Sequence, residues 1–159
     1  MENPEYDIEK EYEELIKNTD LPKLEILAQE FDLEKIYEKE ILFLARDIRR
    51  AVNEKITAYI HLFETLINPS SPPMFVFKIL KNMSQEEKDS IQIFYKTFSK
   101  TQIEIMKLDT IYSEPSEIAF IEKTYKMWKK LKPEIHALFV SFEKNFENGD
   151  ISRERSYFD

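Results

Sequence analysis

A single glycine, Gly149, occurs in 159 residues, and that scarcity narrows the fold before any pattern is read. Tight hairpins, phosphate-cradling loops and nucleophile elbows all place glycine where φ is positive or where backbone must come close. A chain with almost none carries no P-loop, no Rossmann fingerprint and no α/β-hydrolase elbow. A strand-rich fold with many turns is disfavoured for the same reason. An all-α fold is the expectation that remains.

The 42% hydrophobic content, 13% aromatic, suffices for a real core, and a chain of this length buries about 70% of its unfolded surface. One domain is the simplest organisation. Cysteine is absent, which excludes disulfides and thiolate zinc sites. The N-terminal run "MENPEYDIEKEYEEL" is acidic and amphipathic, unlike a signal or transit peptide. No apolar run approaches the roughly 18 residues of a membrane span. A soluble, cytoplasmic protein with no membrane association is expected.

Along the chain, Asn3-Pro4 reads as a helix start, followed by the stripe Ile8, Tyr12, Leu15 and Ile16. Asp20 can cap a second helix carrying Leu24, Leu27, Ala28 and Phe31, and Asp32 offers a further start. From Leu33 to about Ile67 no breaker occurs, and Leu33, Tyr37, Ile41, Leu44, Ile48, Val52, Ile56, Tyr59, Phe63 and Leu66 mark one stripe. This predicts a long central helix near residues 33–67, whose middle, "EILFLA", is apolar all round and implies neighbours on every side. "INPSSPP" (67–73) is the strong loop signal and divides two helical halves.

"MFVFKIL" (74–80) reads as a short helix, with a strand as the alternative. Ser71 is the expected cap. Ser84-Gln85-Glu86-Glu87 fits a capping box and opens a helix with Ile91, Phe94, Phe98, Ile105 and Leu108 inward. A further helix starts near Pro115, kinks or restarts at Pro133, carries Ile135, Leu138, Phe139, Phe142 and Phe146, and stops at Gly149. The expected architecture is a single-domain bundle of about six or seven helices over residues 1–149, with a C-terminal tail at 150–159.

Charge is unevenly spread over a chain of net charge -8. Residues 1–40 hold 14 acids against 5 bases, and residues 41–132 hold 11 against 15. Two basic stretches stand out. In "KTYKMWKKLKP" (123–133), Lys123, Lys126 and Lys130 share one helical face, while Trp128 falls with Ile118, Ile121 and Tyr125 on the opposite, buried one. Nucleic-acid grooves put aromatics and cations on the same surface, so a solvated face is the plainer reading of these lysines. In "RDIRR", Arg46, Arg49 and Arg50 project away from the Leu44/Ile48/Val52 stripe. They suit an internal ion network or a contact to partner or phosphate. The tail "RERSYFD" offers Tyr157 and Phe158 as a docking element, or a loose terminus.

Catalytic and cofactor signals are missing. His61 and His136 lack the spacing of HExxH or of a di-iron bundle, so no metal ligands are assigned. The carboxylates of "EKEYEE" read as solvent-facing charge. No catalytic residue and no cofactor are expected. The function expected is a non-catalytic helical protein-interaction module: a subunit, adaptor or inhibitor of a larger intracellular assembly, with self-association as one form. The alternative is a nucleic-acid-binding accessory protein using a basic face in residues 46–50 and 123–130.

Overall fold

The structure, a computed structural model, describes residues 6–38 and 41–157, and side chains as far as Asn148. The described residues form seven helices and no strand. They are α1 (Ile8–Leu15), α2 (Leu24–Phe31), a 3-10 helix (Leu33–Glu38), α3 (Leu44–Ile67), α4 (Met74–Lys81), α5 (Gln85–Thr110) and α6 (Glu114–Tyr157). The protein is an all-α helical bundle, as expected from its glycine scarcity.

The first helix opens on Asp7, whose carboxylate accepts from the Lys10 amide. The expected start at Asn3-Pro4 lies outside the described residues. Asn18 takes a left-handed φ of 68° just after α1. The second helix starts after Pro22, with Lys23 at the cap position making no side-chain cap bond. Asp20 is not that cap. Asp32, expected to begin a helix, ends α2 instead, at φ 53° and ψ 50°, a left-handed conformation that aspartate tolerates better than most residues.

The central helix is therefore shorter at its N-terminal side than the unbroken apolar stripe suggested. After Asp32 the chain takes a 3-10 helix that buries Leu33 and Ile36, a pair at i and i+3 that this tighter geometry superimposes. Tyr37 is left largely exposed. The helical run resumes at Leu44, and the residues before it are not enclosed: Leu42 is 88% exposed and Phe43 about half. The all-apolar stretch is thus split at the start of α3, with Leu44 and Ala45 buried and Leu42 and Phe43 at the surface, and is not a segment with helices all round it.

The 74–80 segment is the helix α4, with Val76 and Ile79 inward. Pro73, not Ser71, holds its cap position. Helix α5 opens on the expected serine, since Ser84 Oγ accepts from the Glu87 amide at 3.1 Å. The Glu87 carboxylate accepts from Ser141 Oγ and Asn145 Nδ2, both at 2.8 Å, tying the start of α5 to α6. Helix α6 runs through both Pro133 and Gly149. An interior proline removes one backbone donor and crowds the carbonyl four residues back, at about 3 kcal/mol, and one glycine costs about 1 kcal/mol relative to alanine. Neither halts this helix of 44 residues.

The chain divides into two compact units, and the borders fall inside α3, α5 and α6. The first holds Met1–Ile56 with Thr101–Met127. Its core contains Tyr12, Leu24, Leu27, Phe31, Leu33, Ile48, Val52, Ile105, Phe120 and Ile121. The second holds Thr57–Lys100 with Trp128–Asp159, and its core is aromatic. Tyr59 lies 5.3 Å from Trp128, 5.9 Å from Phe98 and 6.2 Å from Phe139 between ring centroids, and Phe63 lies 5.7 Å from Phe94. Such spacings suit tilted and offset ring pairs.

One buried hydroxyl in the first unit gives a measurable consequence. Tyr12 is almost wholly buried, and its hydroxyl donates to the Pro22 carbonyl at 2.8 Å. Burial, with the neighbouring Tyr125 phenol, pushes its pKa well above the ordinary value of 10.0. The folded state then holds this proton more tightly than the unfolded state does. Stability from this source is complete below about pH 10 and falls as pH rises above it. Tyr12→Phe should cost about 1 kcal/mol at neutral pH and flatten the alkaline fall. Urea melts at pH 7 and pH 11 would check both. An unchanged alkaline limb would remove Tyr12 as its source.

Candidate interaction surface

The three arginines of "RDIRR" take three different positions. Arg49 is 1% exposed. Its Nε donates to Glu117 Oε2 at 2.7 Å and its Nη2 to Glu117 Oε1 at 3.2 Å, a two-point grip on a carboxylate that is itself 0% exposed. Nη2 also donates to Asp109 Oδ1 at 2.7 Å. Burial pulls the Arg49 pKa down, but the hydrogen bonds and charges of Glu117 and Asp109 outweigh it, and the net shift is upward. Arg49 is fully committed inside the first unit, which removes it from any surface a partner or phosphate could touch. It belongs to the internal ion network that the sequence left open.

Arg46 lies at the margin of that network. Its Nε stands 4.0 Å from Glu117 Oε1, is buried, and makes no hydrogen bond. Its guanidinium carbon sits 5.4 Å from the centroid of the Tyr112 ring, within cation–π range. Arg50 is exposed, with Asp47 3.9 Å away, a distance at which a surface pair contributes little.

Two of the three lysines are engaged as well. Lys123 pairs with Glu104, and Lys126 pairs with Asp20 at 3.1 Å and Glu122 at 3.0 Å. The latter carboxylates raise the Lys126 pKa through their hydrogen bonds. Asp20 and Glu122 thus hold α6 to the segment before α2, with the Asp20 amide also donating to Glu122 at 3.3 Å. Lys130 is exposed and belongs to the second unit. Trp128, 3% exposed, is a core residue on the face opposite these lysines, as its helical phase required. Tyr157 closes α6, its side chain beyond the described ones, and Phe158 lies outside the described residues.

What the sequence did not point to is an apolar cluster at the start of α3. The Phe43 and Tyr112 rings meet at 4.9 Å. Leu42 at 88% and Ile111 at 76% exposure flank them in sequence, and Arg46 covers the Tyr112 ring. Next to Ile111 a solvent-open cleft of about 550 Å³ runs between α5 and α6 of the first unit. Leu108, Ala119 and Phe120 line it together with Lys107, Lys123 and Glu104. Among the described residues no three or more His, Asp or Glu side chains are grouped to hold a metal ion, and no helix is long and apolar enough to cross a membrane.

Sequence periodicity hides this cluster because an all-apolar run has no polar face to reveal which side meets water. Ile111 and Tyr112 sit in the turn after α5, where there is no period to read. The chain matches no protein-family model, no curated protein and no solved structure.

Proposed function

We propose that this chain is a non-catalytic helical interaction module that binds another protein, as a subunit, adaptor or inhibitor of a larger intracellular assembly. The observation that carries the reading is the cluster of Leu42, Phe43, Ile111 and Tyr112 with Arg46 over the tyrosine ring. A touching pair of exposed aromatic rings with an arginine over one of them, each next in sequence to an exposed aliphatic side chain, has the composition of a binding hot spot. The charge pattern favours protein over nucleic acid. Arg49 is buried, and Lys123 and Lys126 are neutralised by carboxylates of the same chain, so few cations are left to displace counterions from phosphate. The carboxylate best shielded from water, Glu117, has both oxygens already held by Arg49, which leaves it no face toward a substrate.

The test is affinity capture from source lysate, with and without nuclease, using the native chain and a Leu42→Asp, Phe43→Asp variant. Leu42 is 88% exposed and Phe43 about half, so circular dichroism should report an unchanged fold. The expected result is a protein captured by the native chain, retained after nuclease and lost with the variant. Capture that disappears on nuclease treatment would transfer the assignment to nucleic-acid binding. Capture unaffected by the variant would remove this cluster as the interface.

A further inference from the structure

We infer that the cleft between α5 and α6 in the first unit is a docking groove for an acidic amphipathic helix of the partner protein, an inference that rests on the interaction reading above. The groove walls run from Glu104 to Ile111 on α5 and the turn after it, and from Ser116 to Lys123 on α6. Each wall spans seven residue steps, about 10 Å at 1.5 Å per residue, or about two turns of an incoming helix. Two turns present an apolar set at i, i+3 or i+4, and i+7. The floor matches that set: Leu108 and Phe120 are apolar, and Ala119 leaves room for a side chain from outside. No strand among the described residues supplies an edge for an extended peptide.

The rim decides the charge of the occupant. Lys107 stands on one wall and Lys123 on the other, against the single carboxylate of Glu104, which Lys123 already engages. With Lys123 and Glu104 offsetting each other, the net positive charge of the rim is that of Lys107, on a chain of net charge -8. A segment with carboxylates beside its apolar stripe is attracted to this rim and repelled by the acidic N-terminal quarter, where 14 acids face 5 bases in residues 1–40. A segment flanked by lysines meets the opposite field. Beyond the Ile111 end of the groove stands Arg46, whose guanidinium lies over the Tyr112 ring and whose side chain keeps about a quarter of its surface exposed. It adds a second cationic contact beside the Phe43–Tyr112 ring pair.

The probe is a pair of labelled helix-forming peptides with the same leucine stripe, flanked by glutamate in one and by lysine in the other. Their binding to the full chain is read by fluorescence anisotropy. At low salt the glutamate peptide should bind about tenfold or more tighter than the lysine peptide. Lys107→Glu combined with Lys123→Glu should invert that preference. Ala119→Trp fills the groove from an exposed position and should weaken the glutamate peptide about tenfold with an unchanged thermal melt. Equal or tighter binding of the lysine peptide, no binding of either, or indifference to Ala119→Trp would each overturn the inference. So would a dimer in sedimentation that Ala119→Trp dissolves, since the occupant would then be a second copy. The two readings fail separately. If neither peptide binds while lysate capture still depends on Leu42 and Phe43, only the groove is lost; if capture is lost as well, both fall.

Discussion

Replacing Glu117 by glutamine should cost about 3–5 kcal/mol of folding stability, although the side chain keeps its shape and size. Arg49 is 1% exposed and cannot turn to water when its partner loses charge. Asp109 remains, at 2.7 Å from Nη2, but that carboxylate is about half exposed and cannot replace a two-point grip in the interior. Arg46 Nε, already without a hydrogen bond, would also lose the nearest anion. Removing both ends of the pair has a different outcome. Arg49→Met with Glu117→Leu deletes both desolvated charges, and much of the loss should return, because buried ion pairs replaced by apolar side chains of similar volume are often close to neutral. A double-mutant cycle by urea unfolding measures this directly. A loss below about 1 kcal/mol for Glu117→Gln would mean that Arg49 reaches water or another acceptor.

That pair also marks where sequence reasoning stopped. Leu44, Ile48, Val52 and Ile56 recur every four residues, but the α-helix turns once in 3.6, so the stripe drifts about 40° at each step. By Ile56 it points within about 20° of Arg49. The arginine judged to face away from the stripe therefore shares the direction of its later members. A signal for its partner did exist. Glu117 precedes Phe120 by three and Ile121 by four, on the buried face of α6, and a lone glutamate in such a register needs a cation.

Local chemistry was more legible than tertiary closure. The Ser84 cap and the inward face of Trp128 follow from short-range rules, and both are present. The start of the central helix does not follow, because nothing in Leu33–Phe43 breaks a helix. Asp32 in its left-handed state instead leads into the 3-10 helix Leu33–Glu38, which buries Leu33 and Ile36. Gly149 failed as a stop for the converse reason: glycine permits a helix end but does not impose one. The candidate surface needed coordinates, because Phe43 and Tyr112 are 69 residues apart and meet only after α3, α5 and α6 have packed.

The second large effect should come from the centre of the aromatic unit. Trp128→Ala should cost about 3–5 kcal/mol, by lost transfer energy and by the cavity left behind. Trp128 is 3% exposed and its ring lies 5.3 Å from Tyr59, which also meets Phe63, Phe98 and Phe139. A cavity at that point withdraws support from a ring touched by three others, so collapse around it must move several side chains at once. Alanine's better helix propensity returns only about 0.5 kcal/mol. Trp128→Phe keeps an aromatic neighbour for Tyr59 and should lose less than half as much. Because Trp128 is the only tryptophan, its emission reports unfolding of the native chain directly. Circular dichroism must follow the variants, with the loss read as a shift in midpoint at constant slope. A loss below about 1 kcal/mol for Trp128→Ala would place the indole outside the core. Helix α6 would then be turned so that the indole faces solvent, where bases could stack on it as a nucleic-acid groove requires.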